Sequence, residues 1–110
     1  MDVSVVLATY KRPEILKTTL ESFSHMVCGD LKWDLWVVDN AGDAVTKKIV
    51  DSWDGRLPIH YLVESKAGKN NALNRALSEI NGQLVVLTDD DIIATPDWLE
   101  KVWQGVQRWP

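Results

Sequence analysis

The feature that most constrains this chain is the run Leu84-Val85-Val86-Leu87-Thr88 driving into three consecutive carboxylates, Asp89-Asp90-Asp91, before the chain turns apolar again at Ile92-Ile93. Adjacent aspartates repel one another at neutral pH and are poor strand formers. A strand can therefore end at this triplet but not pass through it. The cost is easiest to understand if a cation sits among the carboxylates, such as a divalent metal held by oxygen ligands. The plainer reading is a solvated acidic turn between a strand and a helix.

The same layout recurs along the chain. Val3 to Ala8 is nearly continuously apolar, as in a strand buried on both faces, and Thr9-Tyr10-Lys11-Arg12 ends it. Pro13 suits a first helical turn, and Ile15, Leu16, Thr19, Leu20 and Phe23 give one apolar helix face. Leu31 to Asp34 leads into a second strand, Leu35 to Val38, which ends in Asp39-Asn40-Ala41-Gly42. Asp43 is placed to cap a second helix whose inner face is Val45, Ile49, Val50 and Trp53. A third strand, Ile59 to Val63, is followed by the connection Glu64 to Asn70. A third helix carries Ala72, Leu73, Ala76, Leu77 and Ile80 and stops at Asn81-Gly82. After the acidic triplet, Thr95 as cap and Pro96 as first residue start a fourth helix, with Trp98, Leu99, Val102, Trp103 and Val106 as its stripe.

Apolar strands alternating with amphipathic helices predict an α/β domain with a parallel sheet covered on both faces. Right-handed crossovers leave a Rossmann-like half-sheet of order 3-2-1-4 as the expected layout. In such a sheet ligands bind at the carboxyl ends of the strands, at the switch point between strands 1 and 4. Those ends are where the polar residues fall: Thr9-Tyr10, Asp39-Asn40, Ser65-Lys66 and the triplet. An aromatic ring, a lone carboxylate, a Lys/Gly loop and a carboxylate cluster on one edge suit a nucleotide. The ring would stack on the base, the lone carboxylate accept from base or ribose, and a metal sit on the diphosphate.

Lys66-Ala67-Gly68-Lys69 adds charge and N–H groups at a helix start, where anions bind well. It is not a phosphate-cradling P-loop, because Asn70 follows Lys69 and the first glycine of that motif is absent. No G-x-G-x-x-G follows strand 1, so dinucleotide redox chemistry has no support. A phosphoacceptor receiver domain would place its acidic pair after strand 1 and use a fifth strand. Neither is present.

At 110 residues the chain is expected to form one domain, residues 1–110. Its net charge of −4 argues against a basic nucleic-acid-binding face. No apolar run reaches the ~18 residues of a transmembrane helix, and the amino terminus lacks a signal-peptide layout, so a soluble, cytoplasmic protein is expected. The lone Cys28 excludes an internal disulfide framework and reads as inert, and His60 reads as a surface residue rather than a ligand.

These segments together resemble the amino-terminal, nucleotide-sugar-binding half of family 2 glycosyltransferases of the GT-A fold. Val3 to Arg12 is similar to that family's first strand and loop. Leu35 to Asp43 resembles its "VVDDGSxD" segment, from which Asn40 and Ala41 depart. Gly68 to Asn74 looks like "GKxxALN", and Thr88 to Asp91 with Pro96 to Leu99 resembles the DxD metal motif and the helix after it. The resemblance implies a nucleoside diphosphate-sugar donor, UDP-linked in the favoured case, with Mg²⁺ or Mn²⁺ as cofactor, and transfer of the sugar to an unknown acceptor.

By the same resemblance Thr9 and Tyr10 line the base pocket, with Arg12 in the same donor-binding loop. Asp39 hydrogen-bonds the base, Asp89 the ribose, and Asp90 or Asp91 holds the metal. Lys66, Lys69 and Asn74 lie near the nucleotide. Family members are usually more than twice this length and carry the acceptor site and an acidic general base in their second half. No residue here is nominated as that base. The chain is therefore expected to lack the acceptor half, as a truncated fragment, a non-catalytic donor-binding module, or one part of an oligomer joined through the edge of strand 4.

Overall fold

In the computed structural model, which describes residues 1–80 and 82–108, four strands and four helices alternate along the chain. The strands are β1 (Val3–Thr9), β2 (Trp33–Asp39), β3 (Ile59–Val63) and β4 (Leu84–Asp89). The helices are α1 (Pro13–Ser24), α2 (Ala44–Asp51), α3 (Lys69–Leu77) and α4 (Trp98–Arg108). All pairings are parallel and the strand order is β3-β2-β1-β4, as the sequence pattern predicts.

Burial on both faces explains why the strands are apolar throughout. On one face Val5, Leu7, Leu35 and Val37 pack against Leu16, Leu20 and Phe23 of α1, Val50 of α2 and Leu99 of α4. On the other, Val6 and Val38 pack against Ala72 and Ala76 of α3, where small side chains let the helix approach closely. Phe23 also anchors the start of α4, with its ring centroid 5.8 Å from that of Trp98.

The helix faces differ from the spacing-based expectation in detail. Ile15, Val45, Leu77 and Val106 are exposed, whereas Thr46 is fully buried because its hydroxyl bonds Asp43, the residue that caps α2 through the Val45 N–H. β2 starts at Trp33, earlier than expected. α3 ends at Leu77, and Asn81, the expected stop, lies outside the described residues, as do Trp109 and Pro110. Thr95 does not cap α4 with its side chain. Its hydroxyl bonds the Asp97 carboxylate, and only its carbonyl accepts from the Trp98 N–H. His60 stacks on Trp36 at 4.1 Å and lies 3.6 Å from Asp34.

The register puts the functional ends together. Thr9 pairs with Asp39, Asp39 with Val63, and Ala8 with Asp89, so the loops after all four strands leave one edge of the sheet. β4 is an edge strand, and Leu87 on it is half exposed. Among the described residues no helix is long and apolar enough to cross a membrane.

Candidate nucleotide-sugar site

At the switch point between β1 and β4 the loops border an open cavity of about 300 Å³ lined by Ala8, Thr9, Tyr10, Arg12, Asn40, Lys69, Asp89 and Asp90. It forms because β1 and β2 send their crossover helices to one face of the sheet while α3 covers the other, which parts the loops between them.

The middle aspartate of the triplet is the buried one. Asp90 is 5% exposed. Its Oδ2 accepts from the Thr9 hydroxyl at 2.9 Å, and its carbonyl accepts from the Thr19 hydroxyl at 2.7 Å. Its Oδ1 lies 3.3 Å from Arg12 Nη1. Two elements, β1 and α1, thus clamp the residue from below and leave one carboxylate oxygen toward the cavity, under a half-exposed arginine. The backbone reaches Arg12 through Lys11, whose φ of 50° lies in the left-handed region that side chains seldom adopt.

The flanking carboxylates go opposite ways. Asp89 faces the cavity and accepts from Lys69 Nζ, an ion pair that raises the lysine's pKa through the hydrogen bond and the charge of Asp89. Asp91 lines a separate groove with Glu14, Ile15, Thr18, Thr19 and Ile93, its Oδ2 3.6 Å from Arg12 Nη2. Tyr10 stands at the rim, 57% exposed, with Lys11 Nζ 5.5 Å from its ring centroid.

Asp39 is not on the cavity wall. It is fully buried. Its Oδ1 accepts from the Ala41 and Gly42 N–H groups, and its Oδ2 from the Asp43 N–H and the Tyr61 hydroxyl at 2.7 Å. A carboxylate offers about four acceptor positions, and all are used here. These bonds give Asp39 a structural task, the folding of the β2–α2 loop. Burial and that hydrogen bond push the Tyr61 phenol well above its usual range.

The neighbouring Asn40 faces the cavity instead. Its Nδ2 donates to the Glu64 and Lys66 carbonyls, both at 2.7 Å, and its Oδ1 accepts from the Gly68 N–H at 3.2 Å. One side chain thus fixes the loop that delivers Lys69. Lys66 contributes its backbone to this arrangement, while its side chain and that of Asn74 on α3 are exposed and away from the cavity wall. The sequence reading marked Asn40 only as a departure from a motif, and Thr19 only as part of a helix stripe. Strand parity carried a signal for Asn40: Asp39 shares the face of the buried Val37, and the next residue leaves it.

Among the described residues no group of three or more His, Cys, Asp or Glu is arranged to hold a metal ion. The cavity does present Asp90 Oδ1 with Asp89 beside it. That fits a hard cation taking one or two protein carboxylates and its remaining oxygens from a diphosphate and water.

A four-stranded parallel sheet of this order, with loops parting at the β1/β4 switch point, has the GT-A type of Rossmann-like fold. The family model for Glycosyl transferase family 2 matches residues 4–110, and the chain belongs to that family. It is 31% identical over 108 residues to the uncharacterized glycosyltransferase YwdF of Bacillus subtilis, with 97% of this chain and 39% of that protein aligned. The mannosyltransferase PcManGT of Pyrobaculum calidifontis, solved with GDP-Man and Mn²⁺, superposes with a TM-score of 0.81 at 27% identity, covering 96% of this chain and 31% of that one. Staphylococcus aureus TarS 1-349 with UDP-GlcNAc superposes at 0.83 and 22% identity, covering 98% of this chain and 32% of that one. The chain spans about two fifths of the length of YwdF (39%).

Proposed function

We propose that the cavity binds a nucleoside diphosphate-sugar, with a UDP-sugar favoured, together with Mg²⁺ or Mn²⁺, as the donor site of a glycosyl transfer to an acceptor. The observation behind this reading is the convergence of Tyr10, Asn40, Lys69, Asp89 and Asp90 on one cavity at the β1/β4 switch point. The base stacks on Tyr10 at the rim, beside Asn40. Asp89 accepts from ribose hydroxyls, and Lys69 turns from Asp89 to the diphosphate. Asp90 presents Oδ1 to the metal, held in aim by Thr9 and Thr19. A bound metal supplies Lewis-acid neutralisation of the diphosphate leaving group. The complexes of PcManGT with GDP-Man and Mn²⁺ and of TarS with UDP-GlcNAc support a donor of this class.

A second reading is binding without transfer. The acids on the cavity wall are Asp89 and Asp90, and in the donor complex just described Asp89 faces the ribose hydroxyls and Asp90 the metal, so neither is left to take a proton from an acceptor hydroxyl. The open edge of β4 supports completion of the site by pairing with another strand, from a second copy or a further polypeptide.

Calorimetry with UDP- and GDP-sugars, with Mn²⁺ and with EDTA, separates these readings. Metal-dependent binding with product release in a transfer or donor-hydrolysis assay supports the enzyme, and binding alone supports the module. Failure of every nucleotide to bind sinks both. Asp90→Asn should remove the metal dependence, whereas Asp91→Asn should leave it in place.

A further inference from the structure

The acidic triplet carries its own counter-ion. One guanidinium, that of Arg12, spans Asp90 Oδ1 at 3.3 Å and Asp91 Oδ2 at 3.6 Å. Asp90 cannot turn away from it, because Thr9 holds the other oxygen and Thr19 the carbonyl. A carboxylate buried this deeply beside two others requires a positive partner. Arg12 is 43% exposed and stands on a loop, so it can leave without disturbing the core.

Resting on the donor-and-metal reading above, we propose that Arg12 competes with the metal for the cation position at Asp90 and makes metal binding conditional on the nucleotide. Free divalent cations must then displace a resident charge and gain only one open carboxylate in return. A nucleoside diphosphate changes that balance. Its phosphate oxygens complete the coordination of the cation at Asp90 and offer the released guanidinium a bidentate partner. The result is reciprocal coupling: nucleotide raises metal affinity, and metal raises nucleotide affinity by the same factor.

Electron paramagnetic resonance of unbound Mn²⁺ tests this directly, with wild type, Arg12→Gln and Arg12→Lys, each alone and with UDP or GDP. Wild type should bind Mn²⁺ weakly alone and at least about tenfold more tightly with nucleotide, within the usual span of coupling between sites. Arg12→Gln should bind free Mn²⁺ about tenfold more tightly than wild type and gain less from nucleotide. Arg12→Lys, which keeps the charge but not the bidentate fork, should fall between them. Circular dichroism verifies the fold of each variant, and if Arg12→Gln does not fold, Arg12→Lys decides.

Free-Mn²⁺ affinity in the folded variant equal to or below that of wild type, while nucleotide still draws Mn²⁺ to wild type, overturns the proposal. Nucleotide binding with no Mn²⁺ uptake in any state overturns it while leaving a metal-independent donor site. Loss of both kinds of binding removes the donor reading with it.

Discussion

The Thr9 hydroxyl donates to Oδ2 of Asp90 at 2.9 Å, joining residues 81 positions apart in the chain. This bond ties the end of β1 to the residue just after β4, so the first and last strand ends are held by one side-chain contact. The aspartate it reaches is the buried one of the three. Asp90 is anchored, and its neighbours point to opposite sides of it.

Thr9→Val keeps the shape of the side chain and removes the donor. Leaving a buried charge short of one hydrogen bond should cost about 1–3 kcal/mol, read from the denaturant midpoint. Nucleotide affinity in the presence of Mn²⁺ should fall with it, because Asp90 is no longer aimed. Thr9→Ser, which restores the hydroxyl, should recover most of both. Equal stability of Thr9→Val and wild type would show that the bond contributes nothing.

Tyr61 makes alkaline stability a readout of the Asp39 hub. Its phenol is held well above its ordinary value, first by burial and then by the bond to Asp39. In the unfolded chain it ionises near the usual value of about 10, so above that pH the folded state binds more protons than the unfolded one. Stability is therefore fully present below that pH and is lost as pH rises toward the raised folded value. Urea midpoints across the alkaline range should fall more steeply for wild type than for Tyr61→Phe. At neutral pH the variant should be less stable by about 1.5–3 kcal/mol, since one of four bonds to a buried carboxylate is gone. Parallel curves for the two proteins would refute the link.

Lys69 and Asp89 are both more than half exposed, so their ion pair adds little to folding. Its value lies in holding the lysine's charge at the cavity, and the bond and charge of Asp89 raise a pKa that is already high. Lys69→Met should leave the thermal midpoint nearly unchanged and weaken UDP binding by about tenfold, the scale of one lost charge-assisted bond. The deficit should shrink as salt is raised, because exposed charges are screened. A deficit unaffected by salt would point to lost packing instead.

Much of the fold was legible because fully buried strands announce themselves as unbroken apolar runs, and right-handed crossovers leave few arrangements for four of them. The helix faces were less legible. Three- and four-residue spacing does not say how far a sheet extends beneath a helix, so Ile15 and Val45 fit the pattern yet lie outside the covered area. Of the site, the edge and the residue types could be read, but not which carboxylate was already in use. Asp39 looked open because its partners are backbone N–H groups and a tyrosine 22 residues on, none of which leaves a local trace. Asp90 looked like its neighbours because its partners, Thr9 and Thr19, lie far back in the chain.

Asn40 stands where the resembling motif has aspartate, and the structure supplies a reason for the amide. Its NH₂ group donates to two carbonyls, those of Glu64 and Lys66, while its oxygen accepts from the Gly68 N–H. A carboxylate could keep only the last of these and would face two carbonyl oxygens at close range. Gly68 itself has φ 115°, a conformation open to glycine, so the loop has little latitude to rearrange around an altered partner. Asn40→Asp should therefore loosen the β3–α3 connection and cost about 1–3 kcal/mol, measured by urea denaturation. The loss should be smaller at acidic pH, where the introduced carboxyl is protonated and can donate once. Hydrogen exchange should quicken at the start of α3, whose first residue is Lys69, and UDP affinity should drop alongside it. If exchange there is unchanged while stability falls, the amide acts on folding alone and the loop does not depend on it for its shape.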